Sequence, residues 1–175
     1  MRRRQGILHL VAPVAVTGAC LVGAPPAAAD DASLFAAYNA RQASELAPAN
    51  EAYKKAFAVL KRSDGRRGAL GVIRANRGIN RVLTAIEGDL RAQVASSEAG
   101  TRARRSALRE VRGWRRANRY ESRGWRAARH GRNPSRHLRR AGDEMLRAFR
   151  HGQRAVKRFA AVGLSSPDRA VSQTP

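Results

Sequence analysis

The chain has 175 residues and a formal net charge of +22, from 35 Lys and Arg against 13 Asp and Glu. That length suits a single domain, and so large a basic excess indicates an anionic partner without indicating any reaction. The one cysteine excludes a disulfide framework within the chain.

Residues 1–29 are predicted to be a signal peptide. The chain opens with the basic segment MRRR, continues with a mostly apolar stretch that is short for a membrane span, and reaches small residues at 27–29. This pattern predicts a secreted or extracytoplasmic protein cleaved near Ala29. Cys20 follows small residues and leaves a second interpretation open, a lipoprotein anchored through Cys20.

Downstream of the leader, the spacing of apolar residues predicts five helices and no strand. The first helix covers residues 31–46 and ends before Pro48, and Asn50 caps a second helix that ends at the turn 63–65. The third helix covers residues 68–95. Its apolar side chains keep close to heptad phase at Val72, Ile79, Leu83, Ile86, Leu90 and Val94.

Most of the positive charge lies in residues 101–160, which hold twenty basic and four acidic residues, net +16. The preceding segments 30–60 and 61–100 carry net charges of −1 and +4. Clustering of this kind is typical of a binding surface rather than of a uniformly basic chain. After a break at residues 96–100, a fourth, arginine-rich helix is predicted over residues 101–130.

Eight arginines in this fourth helix alternate three and four positions apart, which lays them along one side. They are Arg102, Arg105, Arg109, Arg112, Arg116, Arg119, Arg123 and Arg126, termed the arginine ridge. The ridge is about 36 Å long, a length suited to a polymer of phosphates or carboxylates. Like charges so spaced destabilise a helix by about 0.2–0.5 kcal/mol per pair, which a bound anion would offset. The ridge is therefore the predicted polyanion-binding site.

An eleven-residue repeat places Trp114 and Trp125 on one face of the fourth helix, because eleven residues make three turns plus about 20°. This face lies about 200° from the arginine ridge and is predicted to pack inward. Its other members are Ala107, Val111, Asn118, Glu121 and Ala128. The alternative for the two indoles is a place at a membrane surface or stacking on bases.

Gly131 predicts the end of the fourth helix. The pair Asn133-Pro134 predicts the start of a fifth helix, with Asn133 as its N-cap. The fifth helix is expected to bury Leu138, Ala141, Met145, Phe149, Gly152, Val156 and Phe159. The predicted fold is all-α, an antiparallel helical bundle of about three long helices plus two shorter N-terminal helices. It covers residues 30–163, and residues 164–175 are expected to form a disordered tail.

No catalytic or metal-binding motif is present in the sequence, such as G-x-S-x-G, H-E-x-x-H or a phosphate-cradling glycine loop. His137, Glu144 and His151 share a helix face, but successive members lie about 10.5 Å apart along the axis, too far to bind one ion. We therefore expect no metal, no cofactor and no small-molecule substrate, and predict that the protein is not an enzyme.

The leading hypothesis is an exported protein that binds an anionic polymer: nucleic acid, a phosphate polymer of a bacterial envelope, or acidic lipid headgroups. Affinity would come from arginine–phosphate pairing and would carry little sequence selectivity. One alternative is a membrane-perturbing cationic protein, which requires exposed tryptophans. Another is a structural or partner-binding bundle whose arginines serve only solubility.

Overall fold

The computed structural model describes residues 26–63 and 66–164, with side chains described at 31–63 and 68–164. The described residues contain no strand, which confirms the predicted all-α class. Their helices are α1 (Pro26–Arg41), α2 (Ala47–Arg62), α3 (Arg66–Ala92), α4 (Glu98–Arg129) and α5 (Ser135–Ala160). The predicted leader up to residue 25, Cys20 included, and residues 165–175 of the predicted tail lie outside the described residues.

The three longest helices form a layer with α4 at its centre. α3 and α5 each pack along α4, while α1 and α2 cover one face of the layer. α4 and α5 run antiparallel, since Gly113 lies against Ala148 and Gly124 lies against Leu138. α3 and α4 also run antiparallel, since Glu87 pairs with Arg112 whereas Asn80 contacts Asn118. Among the described residues, no helix covers the opposite face of the layer.

The main core lies where α1, α3, α4 and α5 meet. Its largest members are Leu34, Tyr38, Ile79, Leu83, Ile86, Leu90, Val111 and Phe159. A smaller cluster of Leu60, Ala69 and Val72 lies between α2 and α3. The predicted apolar stripe of α3 is buried except at Val94, which is exposed because the helix ends at Ala92.

The predicted stop before Pro48 and the predicted N-cap at Asn50 are both wrong. A π turn (Gln42–Leu46) joins α1 to α2, and the backbone N–H of Ala47 donates to the carbonyl of Gln42. Pro48 follows at the start of α2. Proline has no N–H to continue the helical hydrogen bonds, and the wider π turn directly before it is where the hydrogen-bond pattern shifts. The chain therefore stays helical through the proline, and Asn50 lies inside α2.

α4 begins at Glu98, inside the segment predicted to break the chain. Ser97 Oγ caps the helix by accepting a hydrogen bond from the Gly100 N–H at 2.9 Å. Asp31 of α1 accepts hydrogen bonds from the Ser96 N–H at 3.1 Å and from Ser97 Oγ at 2.5 Å. A Cβ at Gly100 would collide with this carboxylate. The glycine thus makes room for a buried acid and does not end the helix.

α4 and α5 approach each other along small residues. A Cβ built on Gly113 would lie 2.8 Å from the Cβ of Ala148. Because the contact follows Ala148, Phe149 is 41% exposed, so the predicted buried stripe of α5 is wrong at that position. At the end of α5, Leu164 packs against the main core, and its N–H donates to the carbonyl of Phe159.

No helix within the described residues is both long enough and apolar enough to span a membrane.

Candidate polyanion-binding face

The eight arginines of the ridge are all exposed and lie on one continuous helix. By helical phase they point away from α1 and α2, toward the uncovered face of the layer. The two indoles lie on the opposite side of α4. Trp114 packs against the main core, and the ring of Trp125 lies 6.4 Å from that of Phe57 in an edge contact. The ridge therefore faces outward and the tryptophans face inward.

The eleven-residue repeat extends over Glu-x-Arg-Gly-Trp, at residues 110–114 and 121–125. In both copies the arginine belongs to the ridge, the glycine contacts α5 and the tryptophan packs inward. A Cβ on either glycine would lie 2.8 Å from a side-chain carbon of α5. The repeat therefore presents one residue type to each neighbour of α4, and its arginine is the member that meets solvent.

The glutamate of the first copy, Glu110, points toward α1 and accepts a hydrogen bond from the hydroxyl of Tyr38. α5 lies directly over this carboxylate, because a Cβ on Gly152 would come within 2.5 Å of its Oε1. The sequence analysis did not place Glu110 on the inward face. The signal that could have found it is its position in the repeat, which matches that of Glu121.

The glutamate of the second copy, Glu121, is 4% exposed. Its carboxylate accepts hydrogen bonds from Tyr53 Oη at 2.6 Å, from Asn76 Nδ2 at 2.9 Å and from Trp125 Nε1 at 3.2 Å. Burial, together with the neighbouring charge of Glu121, raises the pKa of Tyr53 well above its ordinary value. Neutral donors thus satisfy this acid, and no arginine of the ridge is used to neutralise it.

Three arginines of the ridge have carboxylate partners. The pairs are Arg112–Glu87 and Arg116–Glu144, each at 2.8 Å, and Arg102–Glu98. The other five have no carboxylate within 4.0 Å among the described residues. They are Arg105, Arg109, Arg119, Arg123 and Arg126. Most of the ridge therefore keeps its positive charge at the surface.

Glu87 of α3 is the acid most surrounded by arginine. It is 5% exposed and pairs with Arg91, Arg112 and Arg115. Burial acts to raise the pKa of Glu87, but the hydrogen bond from Arg112 and the three positive charges lower it overall. This cluster joins α3 to α4 at the edge of the ridge.

His151 lies at the seam between α4 and α5. Burial lowers the pKa of His151, and the charges of Arg154, Arg109, Arg116 and Arg158 lower it further. Two of these arginines belong to the ridge and two belong to α5. The positive potential therefore extends from α4 onto α5.

α3 contributes arginines that the sequence analysis did not assign to the site. An open groove of about 720 Å³ is lined by Arg74, Arg77, Asn80, Arg81 and Thr84. This groove borders α4, because Asn118 Nδ2 donates to Asn80 Oδ1 at 3.2 Å. The three arginines show the same alternation of three and four positions as the ridge, so the same pattern search could have found them.

The arginines of this face can bind anions. Arginine stays protonated at physiological pH, so the face supplies positive charge and donors but neither a general base nor a nucleophile. No group of three His, Cys, Asp or Glu side chains in the described part of the chain is arranged to hold a metal ion.

Comparison of the chain with protein-family models, curated proteins and solved structures finds no match in any of the three. The cationic face is therefore the feature of the described residues that bears most directly on function.

Proposed function

We propose that this protein is exported and binds an anionic polymer non-enzymatically through the arginine ridge and the neighbouring arginines of α3. One observation carries the proposal: five exposed arginines lie on the uncovered face of the bundle, and none of them has a carboxylate partner among the described residues. Surface charges usually mix signs, and an unbalanced row of cations repels itself.

The arrangement of acids on α4 supports the same function. The two glutamates that could have neutralised the ridge turn inward and accept hydrogen bonds from tyrosines. The ridge therefore keeps its charge at a free-energy cost in the unbound protein. Pairing with phosphates would offset that cost and release the counterions condensed on the polymer.

This face is better suited to binding an extended polymer than to inserting into a membrane. The indoles that would seat at the headgroup level are packed against α2 and the core. The exposed large apolar side chains of α5 are Leu146 and Phe149, so contact between α5 and lipid would depend on these two residues. A ridge about 36 Å long matches several successive phosphates along a chain.

The test is a salt titration of the mature protein with three fluorescent polymers: duplex DNA, linear polyphosphate and polyglutamate. Five arginine–phosphate contacts predict a log–log slope of about −4.5, which is roughly a 500-fold loss of affinity between 50 and 200 mM salt. Affinity that does not change with salt contradicts the proposal. Dye leakage from anionic vesicles, without polymer binding, would support the membrane-perturbing alternative instead.

Export is tested separately by the mass of the mature N-terminus. Cleavage near Ala29 predicts a chain that begins at Asp30. A chain that begins with lipid-modified Cys20 would replace secretion by anchoring, and an intact Met1 in the secreted fraction would contradict the predicted leader.

A further inference from the structure

A second cationic site lies at the corner where α4 turns into α5. A cleft of about 340 Å³, termed the corner cleft, is lined by Arg123, Arg126, Ala127, Arg132, Asn133 and His137. Among the described residues, no carboxylate lines this cleft. Arg123 and Arg126 belong to the arginine ridge, whereas Arg132, Asn133 and His137 come from the turn and from the first turn of α5.

The turn between the helices explains why Arg132 reaches this place. Gly131 has a φ of 71°, a conformation that glycine adopts without a Cβ penalty. Its N–H donates to the carbonyl of Ala128 at 3.0 Å, and the N–H of Arg132 donates to that of Ala127 at 2.9 Å. These two bonds fold the chain back over the end of α4, so Arg132 lies beside its last turns.

Asn133 and His137 are held in place by their own local contacts. The Oδ1 of Asn133 accepts a hydrogen bond from the Ser135 N–H at 2.9 Å, which leaves the amide NH₂ to donate to a ligand. The Cβ of His137 packs over Gly124, 3.4 Å from where a Cβ would stand. His137 lines the cleft, and its Nδ1 is buried without a hydrogen-bond partner among the described residues.

The composition of the corner cleft selects the class of ligand. Three guanidinium groups, an imidazole and an amide concentrate positive charge and donors in one place, which favours a compact anion with more than one charge over a singly charged carboxylate. A phosphate monoester offers three terminal oxygens and carries close to two negative charges, and arginine forks pair with it in bidentate fashion. The positive end of α5 and the negative end of α4 both lie at this corner and offset each other, so the arginines carry the attraction.

We propose that the corner cleft binds a single dianionic phosphate group, supplied either by free phosphate or by the terminal phosphate of a polymer. The inference rests on the proposed function, because Arg123 and Arg126 also belong to the ridge. It adds a specific end-binding site to a face that otherwise binds a polymer along its length.

The test uses the full mature chain and inorganic phosphate, with chloride at equal ionic strength as the control anion. Backbone amide NMR shifts over residues 123–138 should saturate with phosphate. Arg132→Gln should weaken phosphate binding about tenfold, the loss expected for one charge-assisted contact. Arg136→Gln removes an exposed charge nearby that does not line the cleft, and it should change the affinity less than twofold.

Shifts that never saturate, or equal losses in Arg132→Gln and Arg136→Gln, would overturn the corner cleft as a site. Arg132→Lys keeps the charge and removes the fork. It should weaken binding less than Arg132→Gln does, and circular dichroism should match the wild type in each variant. Full affinity in Arg132→Gln with intact helicity would also overturn the site.

A second comparison separates this site from the ridge. A ridge variant, Arg105→Gln with Arg109→Gln and Arg119→Gln, should lose affinity for duplex DNA and keep its phosphate affinity. Arg132→Gln should instead lose the preference for a 5′-phosphorylated oligonucleotide over an unphosphorylated one. Saturable phosphate binding without duplex binding contradicts the ridge alone, and duplex binding without saturable phosphate binding contradicts the corner cleft alone.

Discussion

The two sides of α4 differ in the partners of their charged side chains, although both sides are built from the same eleven-residue repeat. On the covered side, Glu110 and Glu121 accept hydrogen bonds from the hydroxyls of Tyr38 and Tyr53. On the uncovered side, the repeat's arginines and their neighbours meet solvent, mostly without acids. Glu121 teaches that a buried acid can be satisfied by neutral donors alone. The arginines on the other side of the helix then stay available for an external partner.

The largest expected effect on stability comes from removing a buried acid on the covered side of α4. Glu121→Ala should destabilise the fold by about 3–5 kcal/mol, because it leaves the donors of Tyr53, Asn76 and Trp125 buried without their acceptor. Arg119→Ala, on the uncovered side of the same helix, should change stability by less than about 0.5 kcal/mol. Urea unfolding measures both changes, and similar losses in the two variants would refute the contrast between the two sides.

A smaller effect is expected at Glu87, where acid and arginine do meet. Since the pKa of Glu87 is lowered in the folded state, its contribution to stability is complete above its unfolded pKa of about 4.3. That contribution is lost as the pH falls through the folded pKa. Glu87→Gln should therefore cost about 1.5 kcal/mol at pH 7 and less at pH 2. An equal difference in unfolding free energy at both pH values would show that the ion pairs contribute no stability.

Removing positive charge from the uncovered side of α4 should stabilise the unbound protein. The ridge variant with Arg105, Arg109 and Arg119 changed to Gln removes like-charge neighbours, so its unfolding free energy should rise by about 0.5–1 kcal/mol at low salt. The gain should shrink in high salt, where the repulsion is already screened. A loss of stability at low salt would mean that these arginines make favourable contacts within the protein.

The smallest expected effect concerns His151, whose pKa is lowered by burial and by surrounding arginines. A lowered pKa means that protonation is disfavoured in the folded protein. A polyanion bound at the seam would offset the arginine charges and raise the pKa of His151 toward about 6.5. NMR titration of its ring, with polyphosphate and with chloride at equal ionic strength, measures the shift. The same pKa in both solutions would place the polymer away from this seam.

The sequence predicts the exposed ridge and the inward tryptophans because helical phase follows directly from residue spacing. The prediction fails where contact with a neighbouring helix determines whether a residue is buried or where a helix begins. Gly100 suggests a chain break, yet its missing side chain makes room for Asp31. Phe149 fits the apolar period of α5, but the close contact at Gly113 follows a different line of small residues.

The same limit applies to the corner cleft. Its residues come from two helices and a tight turn, and only the left-handed conformation of Gly131 brings Arg132 back to α4. The spacing of residues along one helix does not predict a site that is formed by two helices and the turn between them. The hydrogen bonds to Glu110 and Glu121 were missed for a related reason, because their tyrosine donors lie about seventy residues away in the chain.

The most direct measurement compares the salt dependence of duplex binding in three proteins: the wild type, the ridge variant and an α2 control. The α2 control changes Lys54, Lys55 and Arg62 to Gln, which removes the same number of exposed charges from the other face of the bundle. The ridge variant should reduce the log–log slope by about 2.7, and the α2 control should reduce it by less than 1. Equal slopes in the two variants would contradict the central claim that the uncovered face of α4 binds the polymer.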